Sequence, residues 1–228
     1  MVIESPAKPA GAARHGPLAA PLGVLLVALG IAGLLAAALL LGFSPSPATW
    51  YLARASGFTL YLLLWWSVVS GLGLTTSLLG LGGRAAAWDA HRFTTELAFV
   101  FLALHLLSLA IDPTVPLGLL GVLVPLQSAV RQPWTDLGIL TGYGMIIITA
   151  SFALRRFIGQ RGWRLLHYGA FPLWLIALAH GLGAGSDAHR LWAQLLYLAS
   201  VAVVIFLLAF RLLRRGRAPG GGGASGPV

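Results

Sequence analysis

The chain alternates long apolar runs with short polar segments, and this pattern predicts its secondary structure. The apolar runs cover residues 21–42, 57–80, 93–111, 137–154, 165–183 and 191–213. Each run is close to the roughly 20 residues that a helix needs to cross the hydrocarbon core of a bilayer. Because a helix satisfies its own backbone polar groups in lipid, the pattern predicts an all-α, polytopic membrane bundle of six helices.

Composition supports a membrane protein and limits its chemistry. Of the 228 residues, 58% are hydrophobic and only 9% are charged, which is far more apolar than a soluble domain of this length. The chain has no cysteine, so disulfides, thiolate-bound zinc and iron–sulfur clusters are excluded. A protein-bound metal would therefore need histidine or carboxylate ligands.

Basic residues are distributed unevenly between the two sides of the predicted bundle. Twelve of the fifteen Lys and Arg lie in the amino-terminal tail, the second and fourth loops and the carboxy-terminal tail, whereas Arg54, Arg131 and Arg190 lie on the other side. Since basic loops tend to stay in the cytoplasm, both termini are expected there. The net charge of +9 is thus interpreted as a topology signal rather than a nucleic-acid-binding surface.

Three regions are expected along the chain. Residues 1–19 form a cytoplasmic amino-terminal tail, residues 20–213 form the six-helix transmembrane domain, and residues 214–228 form a Gly-rich, disordered cytoplasmic tail. The first apolar run is longer than a signal-peptide core and is expected to be retained, with cleavage near Ser46 or Ala48 as the alternative. The abundance of Ala, Gly and Arg indicates a GC-rich bacterium, and hence a bacterial plasma (inner) membrane.

Four of the six histidines lie within or at the ends of predicted spans, where an ionisable side chain is costly and usually functional. His91 and His105 lie on the third span, about 21 Å apart along a helix, and His167 and His180 lie on the fifth, about 20 Å apart. Both spans run in the same direction, so His91 falls level with His167 and His105 with His180. Two stacked bis-histidine sites result, and such pairs are typical axial ligands of haem iron between the helices of a bundle.

The two histidines share one face of the helix on the third span but not on the fifth. Residues fourteen apart differ by about 40° and share a face, whereas residues thirteen apart differ by about 140°. Pro172 lies between the two histidines of the fifth span, and a proline kink can recover part of the phase. Any one of these histidines could instead be a core residue bonded to a carbonyl, above all His91 at its span boundary. His15 and His189 are interpreted as solvated residues, with contact between His189 and an external acceptor as the alternative.

The segments around the four histidines resemble a known membrane domain. The residues that carry the resemblance are His91-Arg92-Phe93 through Leu104-His105-Leu106, and Trp163-Arg164-Leu165-Leu166-His167-Tyr168 through Ala179-His180. They resemble the ferric reductase-like transmembrane domain, which is shared by ferric-chelate reductases, NADPH oxidases and the haem-binding subunit of the periplasmic methionine-sulfoxide reductase. The similarity extends from about Ala48 to Leu212.

The resemblance implies an assignment of cofactors and partners. It implies an inner haem b between His91 and His167 and an outer haem b between His105 and His180. The sulfoxide-reductase subunit usually lacks a histidine at the position of His91, so its presence favours the dihaem members. The sequence shows no flavin- or nicotinamide-binding motif after the sixth span, so the electron donor is expected to be a separate flavoreductase, with the flavin on that partner, or a membrane quinol.

Several other residues are candidates for binding or supporting a haem. Arg54 begins the second span on the external side, and the resemblance suggests that it binds a propionate of the outer haem, with a snorkelling headgroup contact as the alternative. Arg84, Arg92 and Arg164 could serve the inner haem or be ordinary cytoplasmic-side cations. Glu96 is expected to face the bundle interior. Gly71, Gly73, Gly142 and Gly144 are expected to permit close approach of a helix or macrocycle.

These observations predict dihaem b-type electron transfer across the membrane, from a cytoplasmic or quinol donor to an external acceptor such as ferric iron. The protein would be an oxidoreductase membrane component without its own flavin or NAD(P)H domain, and whether it is an enzyme depends on its partners. The alternative is the haem-binding membrane subunit of a periplasmic methionine-sulfoxide reductase system, with a periplasmic acceptor protein. A non-redox scaffold or transporter is a third interpretation, motivated by the phase mismatch on the fifth span.

Overall fold

All regular elements in the part of the chain that the structure describes are helices. A computed structural model describes residues 47–76, 84–115 and 117–216, so the predicted first span, the amino-terminal tail and most of the carboxy-terminal tail lie outside the described residues. The helices are α1 (Pro47–Thr76), α2 (Arg84–Ile111), α3 (Gly118–Leu123), α4 (Gln132–Ala153), α5 (Arg155–Tyr168), α6 (Ala170–Ala184) and α7 (Leu191–Gly216).

Five stretches of the described chain are long and apolar enough to cross a membrane. Helices α1, α2, α4 and α7 provide one stretch each, and α5 and α6 together provide the fifth, Arg155–Ala184. Large apolar side chains are exposed along these helices, for example Leu198, Ile205 and Phe206 on α7. Apolar surface of this extent is expected where helices face lipid. The prediction of an all-α, multi-pass membrane architecture is therefore confirmed for the described residues.

The helices extend beyond the apolar runs that predicted them. Helix α1 begins at Pro47, well before residue 57, and α2 begins at Arg84 rather than at residue 93. Proline is favoured in the first turn of a helix, because its missing N–H would have no intrahelical partner there. Helical hydrogen bonding thus continues through polar ends that a hydrophobicity pattern does not detect. The short helix α3 lies in the loop before α4 and exposes Leu119 and Leu120.

The backbone leaves the helical region at Gly159 in α5, where φ is 72° and ψ is 168°, ahead of the predicted fifth span. The predicted fifth span itself is interrupted at one residue, Gly169, whose φ of -59° and ψ of -15° remain right-handed helical. It consists of α5 and α6, which meet at Gly169. Pro172 has no backbone N–H to donate to the carbonyl of residue 168, and its ring crowds that carbonyl. The backbone tightens at this point, with the N–H of Gly169 donating to the carbonyl of Leu166 at 2.9 Å. The break divides the span between its two histidines, so one uniform helical phase no longer relates them.

Helix α1 lies at the centre of the described bundle. It packs against α2, α6 and α7, while α4 packs against α6. The main apolar cluster joins α1, α6 and α7 through Tyr61, Leu72, Trp174 and Tyr197. The hydroxyls of Tyr61 and Ser200 lie 2.6 Å apart and link α1 to α7 inside this cluster. Helix α1 thus contacts both α2 and α6, and these two helices are not among the principal contacting pairs.

Candidate functional site

The structure brings the four predicted histidines together as two pairs. The ring centroids of His91 on α2 and His167 on α5 are 6.1 Å apart, with an angle of 76° between the rings. The centroids of His105 on α2 and His180 on α6 are 6.4 Å apart, with an angle of 80°. Gly169, where α5 meets α6, lies between His167 and His180 along the chain. We call the two pairs the inner pair and the outer pair.

The separation within each pair can be compared with two simple arrangements. A metal between two imidazoles, with bonds of about 2.0 Å to each nitrogen and a ring radius of about 1.1 Å, places the centroids about 6.2 Å apart. A direct hydrogen bond of about 2.9 Å between two ring nitrogens would bring the centroids to about 5.1 Å. The observed separations of 6.1 and 6.4 Å match the arrangement with a metal between the rings.

Three of the four imidazoles are oriented by backbone carbonyls. Nδ1 of His105 donates to the carbonyl of Ala53 at 2.8 Å, and Nδ1 of His180 donates to the carbonyl of Trp134 at 2.8 Å. Nδ1 of His91 lies 3.0 Å from the carbonyl of Ser67. A carbonyl only accepts, so Nδ1 carries the proton and the neutral ring keeps a free lone pair on Nε2. Metal-ligating histidines typically have this arrangement, which fixes the tautomer and increases the basicity of the ligand.

His167 is oriented differently. Its ring stacks on Trp163 of the same helix, with centroids 5.2 Å apart and an angle of 23° between the planes. Trp163 also contacts Phe152 at the end of α4, and the Arg155 guanidinium lies 5.8 Å from the Trp163 ring centroid. An aromatic surface therefore supports His167 where a carbonyl supports each of the other three histidines.

The donor set of each pair also limits what it can bind. Within residues 47–76, 84–115 and 117–216, no three His, Cys, Asp or Glu side chains lie together as a metal-binding group. A zinc ion held by protein alone usually needs three or four such ligands. Two facing imidazoles suit a metal whose other coordination positions are filled by a macrocycle, as in haem. The residues of both pairs therefore fit haem better than a bare ion.

A cavity of about 350 Å³ adjoins the outer pair. His105 and His180 line it, together with apolar side chains such as Leu102 and Ile139. Arg54, Arg131 and Asp187 line it as well, so the cavity combines an apolar interior with two cations and one carboxylate. This combination is typical of a site for an apolar ligand that carries acidic groups. A haem, with its two propionates, has this chemistry.

The predicted propionate ligand Arg54 has a partner within the protein. Its side chain is about one third exposed, and Nη2 lies 2.5 Å from Oδ2 of Asp187, which is buried. Arg131, which the sequence analysis assigned only to topology, donates from Nη1 to the carbonyls of Gly183 and Ala184 at 3.2 and 3.3 Å. Both cations are thus held at the wall of the cavity.

Glu96 on α2 is more exposed than its predicted position in the bundle interior implies. Arg92 donates from Nε to Oε1 of Glu96 at 2.8 Å, and the two side chains are 46% and 35% exposed. They form a surface ion pair one helical turn apart, which satisfies the carboxylate without a place in the bundle interior. Arg164 is exposed on α5. Arg84 begins α2, but its side chain lies outside the described part of the structure.

Two glycines that were not predicted from the sequence contact the outer pair. Gly57 on α1 adjoins the ring of His105, and Gly138 on α4 adjoins the ring of His180. Glycine is common in membrane helices, so neither position stood out. Gly71, which was singled out for close approach, adjoins His91. These glycines contact histidines on other helices, and the spacing of residues along one helix does not predict such contacts.

No family model, curated protein or solved structure matches the chain. The class of protein is therefore defined by its own fold and site. In the part of the chain that the structure describes, it is all-helical, with five stretches suited to crossing a membrane. Between its helices, two pairs of histidines face each other at two levels of the bundle.

Proposed function

We propose that this protein transfers electrons across a membrane through two haems b, an inner one between His91 and His167 and an outer one between His105 and His180. The observation that carries the proposal is the pair of matched centroid separations, 6.1 and 6.4 Å, each suited to a metal between the rings. Three of these rings also present a free Nε2, because their Nδ1 atoms are bonded to carbonyls.

The chain contributes position and environment to this function. His91 and His105 lie about 21 Å apart along α2, so the two sites occupy opposite sides of the apolar layer. Each haem, when bound, supplies a one-electron redox centre. Apolar side chains line the cavity at the outer pair, where Arg54 and Arg131 offer positive charge to propionates.

The direction and partners of transfer belong to the same proposal. Helix α5 exposes Arg155, Arg156, Arg161 and Arg164 on the side of the inner pair. This concentration of positive charge supports a cytoplasmic position for the inner pair and both termini, in a bacterial plasma membrane. It would also attract an acidic flavoreductase as donor. A membrane quinol is the alternative donor, and ferric iron is a candidate external acceptor.

The second candidate function is the haem-binding membrane subunit of a periplasmic methionine-sulfoxide reductase system. It requires the outer pair but not the inner one. The polar contacts of His91 favour the two-haem function, because its Nδ1 lies within 3.2 Å of the Ser70 hydroxyl as well as 3.0 Å from the Ser67 carbonyl. A histidine oriented in this way opposite His167 is suited to be a ligand.

Haem content of purified protein tests the proposal. A pyridine haemochrome assay and reduced-minus-oxidised spectra would be measured for wild type, His91→Ala and His105→Ala, with His189→Ala, an exposed histidine, as the matched control. We expect close to two haems per chain in wild type and the control, and about one in each of the other variants. About one haem in both wild type and His91→Ala would support the sulfoxide-reductase subunit. Haem-free protein after haem-replete expression would overturn electron transfer.

A further inference from the structure

Three of the four paired histidines share one feature of their surroundings. The carbonyls that accept from Nδ1 belong to Ala53, Ser67 and Trp134. In each case the residue four positions later in the same helix is a glycine, and that glycine adjoins the same imidazole. The three carbonyl and glycine combinations are Ala53 with Gly57, Ser67 with Gly71, and Trp134 with Gly138. We call each combination a glycine notch.

Helix geometry explains how a glycine at this position helps the contact. A backbone carbonyl has two lone pairs, and in a helix one accepts from the N–H four residues later. The Cβ of that later residue tilts towards the helix amino terminus and covers the turn that contains the carbonyl. Without a Cβ, the second lone pair can be reached from a neighbouring helix. An imidazole can then donate to it and pack against the bare backbone.

The three notches differ in the room that they leave for an added Cβ atom. A Cβ added at Gly138 would lie 2.6 Å from Cε1 of His180, and one added at Gly57 would lie 2.8 Å from Cε1 of His105. Both distances are too short for carbon atoms, so the imidazole would have to move. A Cβ at Gly71 would lie 3.7 Å from Cε1 of His91, which is an ordinary van der Waals contact. Alanine should therefore disturb the outer pair and spare the inner pair.

We propose that Gly57 and Gly138 are positioning residues, which hold His105 and His180 with Nδ1 protonated and Nε2 available to the haem iron. The notch at Gly71 has room for a Cβ, so the orientation of His91 does not depend on a glycine there. The inference rests on the proposed function and adds to it a structural cause for the orientation of the ligands. His167 has no glycine notch among the described residues and depends on Trp163 instead. The outer site is thus held by two notches, whereas at the inner site an aromatic stack supports His167.

The test compares alanine substitutions at three glycines in the full chain. Gly57→Ala and Gly138→Ala are expected to lower haem content from about two to about one per chain, or to leave an outer haem with altered low-spin EPR signals. An outer haem that is retained should also have a higher midpoint potential, because a weaker Nδ1 hydrogen bond makes the imidazole less basic. Gly71→Ala should keep both haems and both signals. Gly162→Ala is the matched control, since its Cβ would meet only Ile158 of the same helix, at 3.5 Å.

The outcomes separate this inference from the proposed function. Retention of the inner haem in Gly57→Ala shows that the variant is folded and that the loss is local. Unchanged haem content, EPR signals and potentials in both Gly57→Ala and Gly138→Ala would overturn the role of the notches while leaving two-haem binding intact. Loss of both haems in all three notch variants would also overturn it. A local steric effect would spare Gly71→Ala, whereas general destabilisation would not. A wild type without haem would overturn both proposals.

Discussion

Arg54 and Asp187 form an ion pair at the wall of the cavity beside the outer pair, with Nη2 and Oδ2 2.5 Å apart and Nε donating to Oδ2 at 2.7 Å. Arg54 lies on α1, and Asp187 lies in the loop between α6 and α7. The pair therefore links the central helix to the loop that follows His180. Asp187 is the buried member, with 7% of its surface exposed, and Arg54 is the more exposed one.

This asymmetry predicts unequal effects of mutating the two partners. Arg54→Ala leaves a buried carboxylate without its cation, and we expect a loss of about 1–3 kcal/mol in stability. Asp187→Asn leaves a partly hydrated guanidinium and should cost less. Thermal unfolding of the purified variants measures both effects. The double variant Arg54→Ala, Asp187→Asn should recover part of the loss. An additive double variant would contradict the assignment of Asp187 as the buried charge that needs compensation.

The sequence predicted the helical class and the levels of the four histidines for a physical reason. Both depend on distances along single helices, and the rise per residue is nearly constant. The contacts of Arg54 with Asp187 and of Gly57 with His105 depend on how different helices pack. Hydrophobic patterning does not specify that packing. The ion pair between Arg92 and Glu96 could have been predicted from the sequence, because a spacing of four residues is typical of a surface pair on one helix.

Pro172 is expected to determine whether the inner and the outer histidine pair can form in the same molecule. In a continuous helix, His167 and His180 would differ in direction by about 140°. Pro172→Ala restores a backbone donor and should allow α5 and α6 to join as one helix, which turns one of the two histidines away from α2. We expect haem content to fall to about one per chain. Pro133→Ala, in the first turn of α4, is the control and should keep both haems. Full haem content in Pro172→Ala would show that the break at Gly169 does not depend on the proline.

Asp112 is expected to make stability depend on pH at the carboxy-terminal end of α2. Burial alone would raise the pKa of its carboxyl, but hydrogen bonds from Thr114, Thr49 and Val115 outweigh burial and lower the pKa below its ordinary value of 3.8. Thr49 Oγ1 donates to Oδ2 at 2.6 Å, and the backbone N–H of Thr114 donates to Oδ1 at 2.8 Å. The bonds join the start of α1 to the end of α2.

Because the folded-state pKa is the lower one, this stabilisation is present above the unfolded pKa and is lost as the pH falls through the folded pKa. Asp112→Asn should lower the melting temperature at pH 7, where the loss is about 1–2 kcal/mol. The difference from wild type should shrink as the pH falls below about 4. Melting curves in detergent across this range provide the measurement, and the exposed Asp89→Asn is the control. A difference that stays constant with pH would mean that the charge of Asp112 does not contribute.

Trp163 is expected to set the orientation of His167, which has no carbonyl acceptor among the described residues. The stacked rings, 5.2 Å apart, leave His167 free to rotate if the indole is removed. Under the two-haem proposal, Trp163→Leu should weaken the inner haem selectively, whereas Trp163→Phe should preserve most of it, because a smaller aromatic ring can still stack. Haem titration and EPR spectra of the inner centre distinguish the two variants, and Trp192→Leu, on α7 beside Phe58, is the control. Equal loss in Trp163→Leu and Trp163→Phe would instead implicate the indole N–H, which is buried and lacks a hydrogen-bond partner within the described residues.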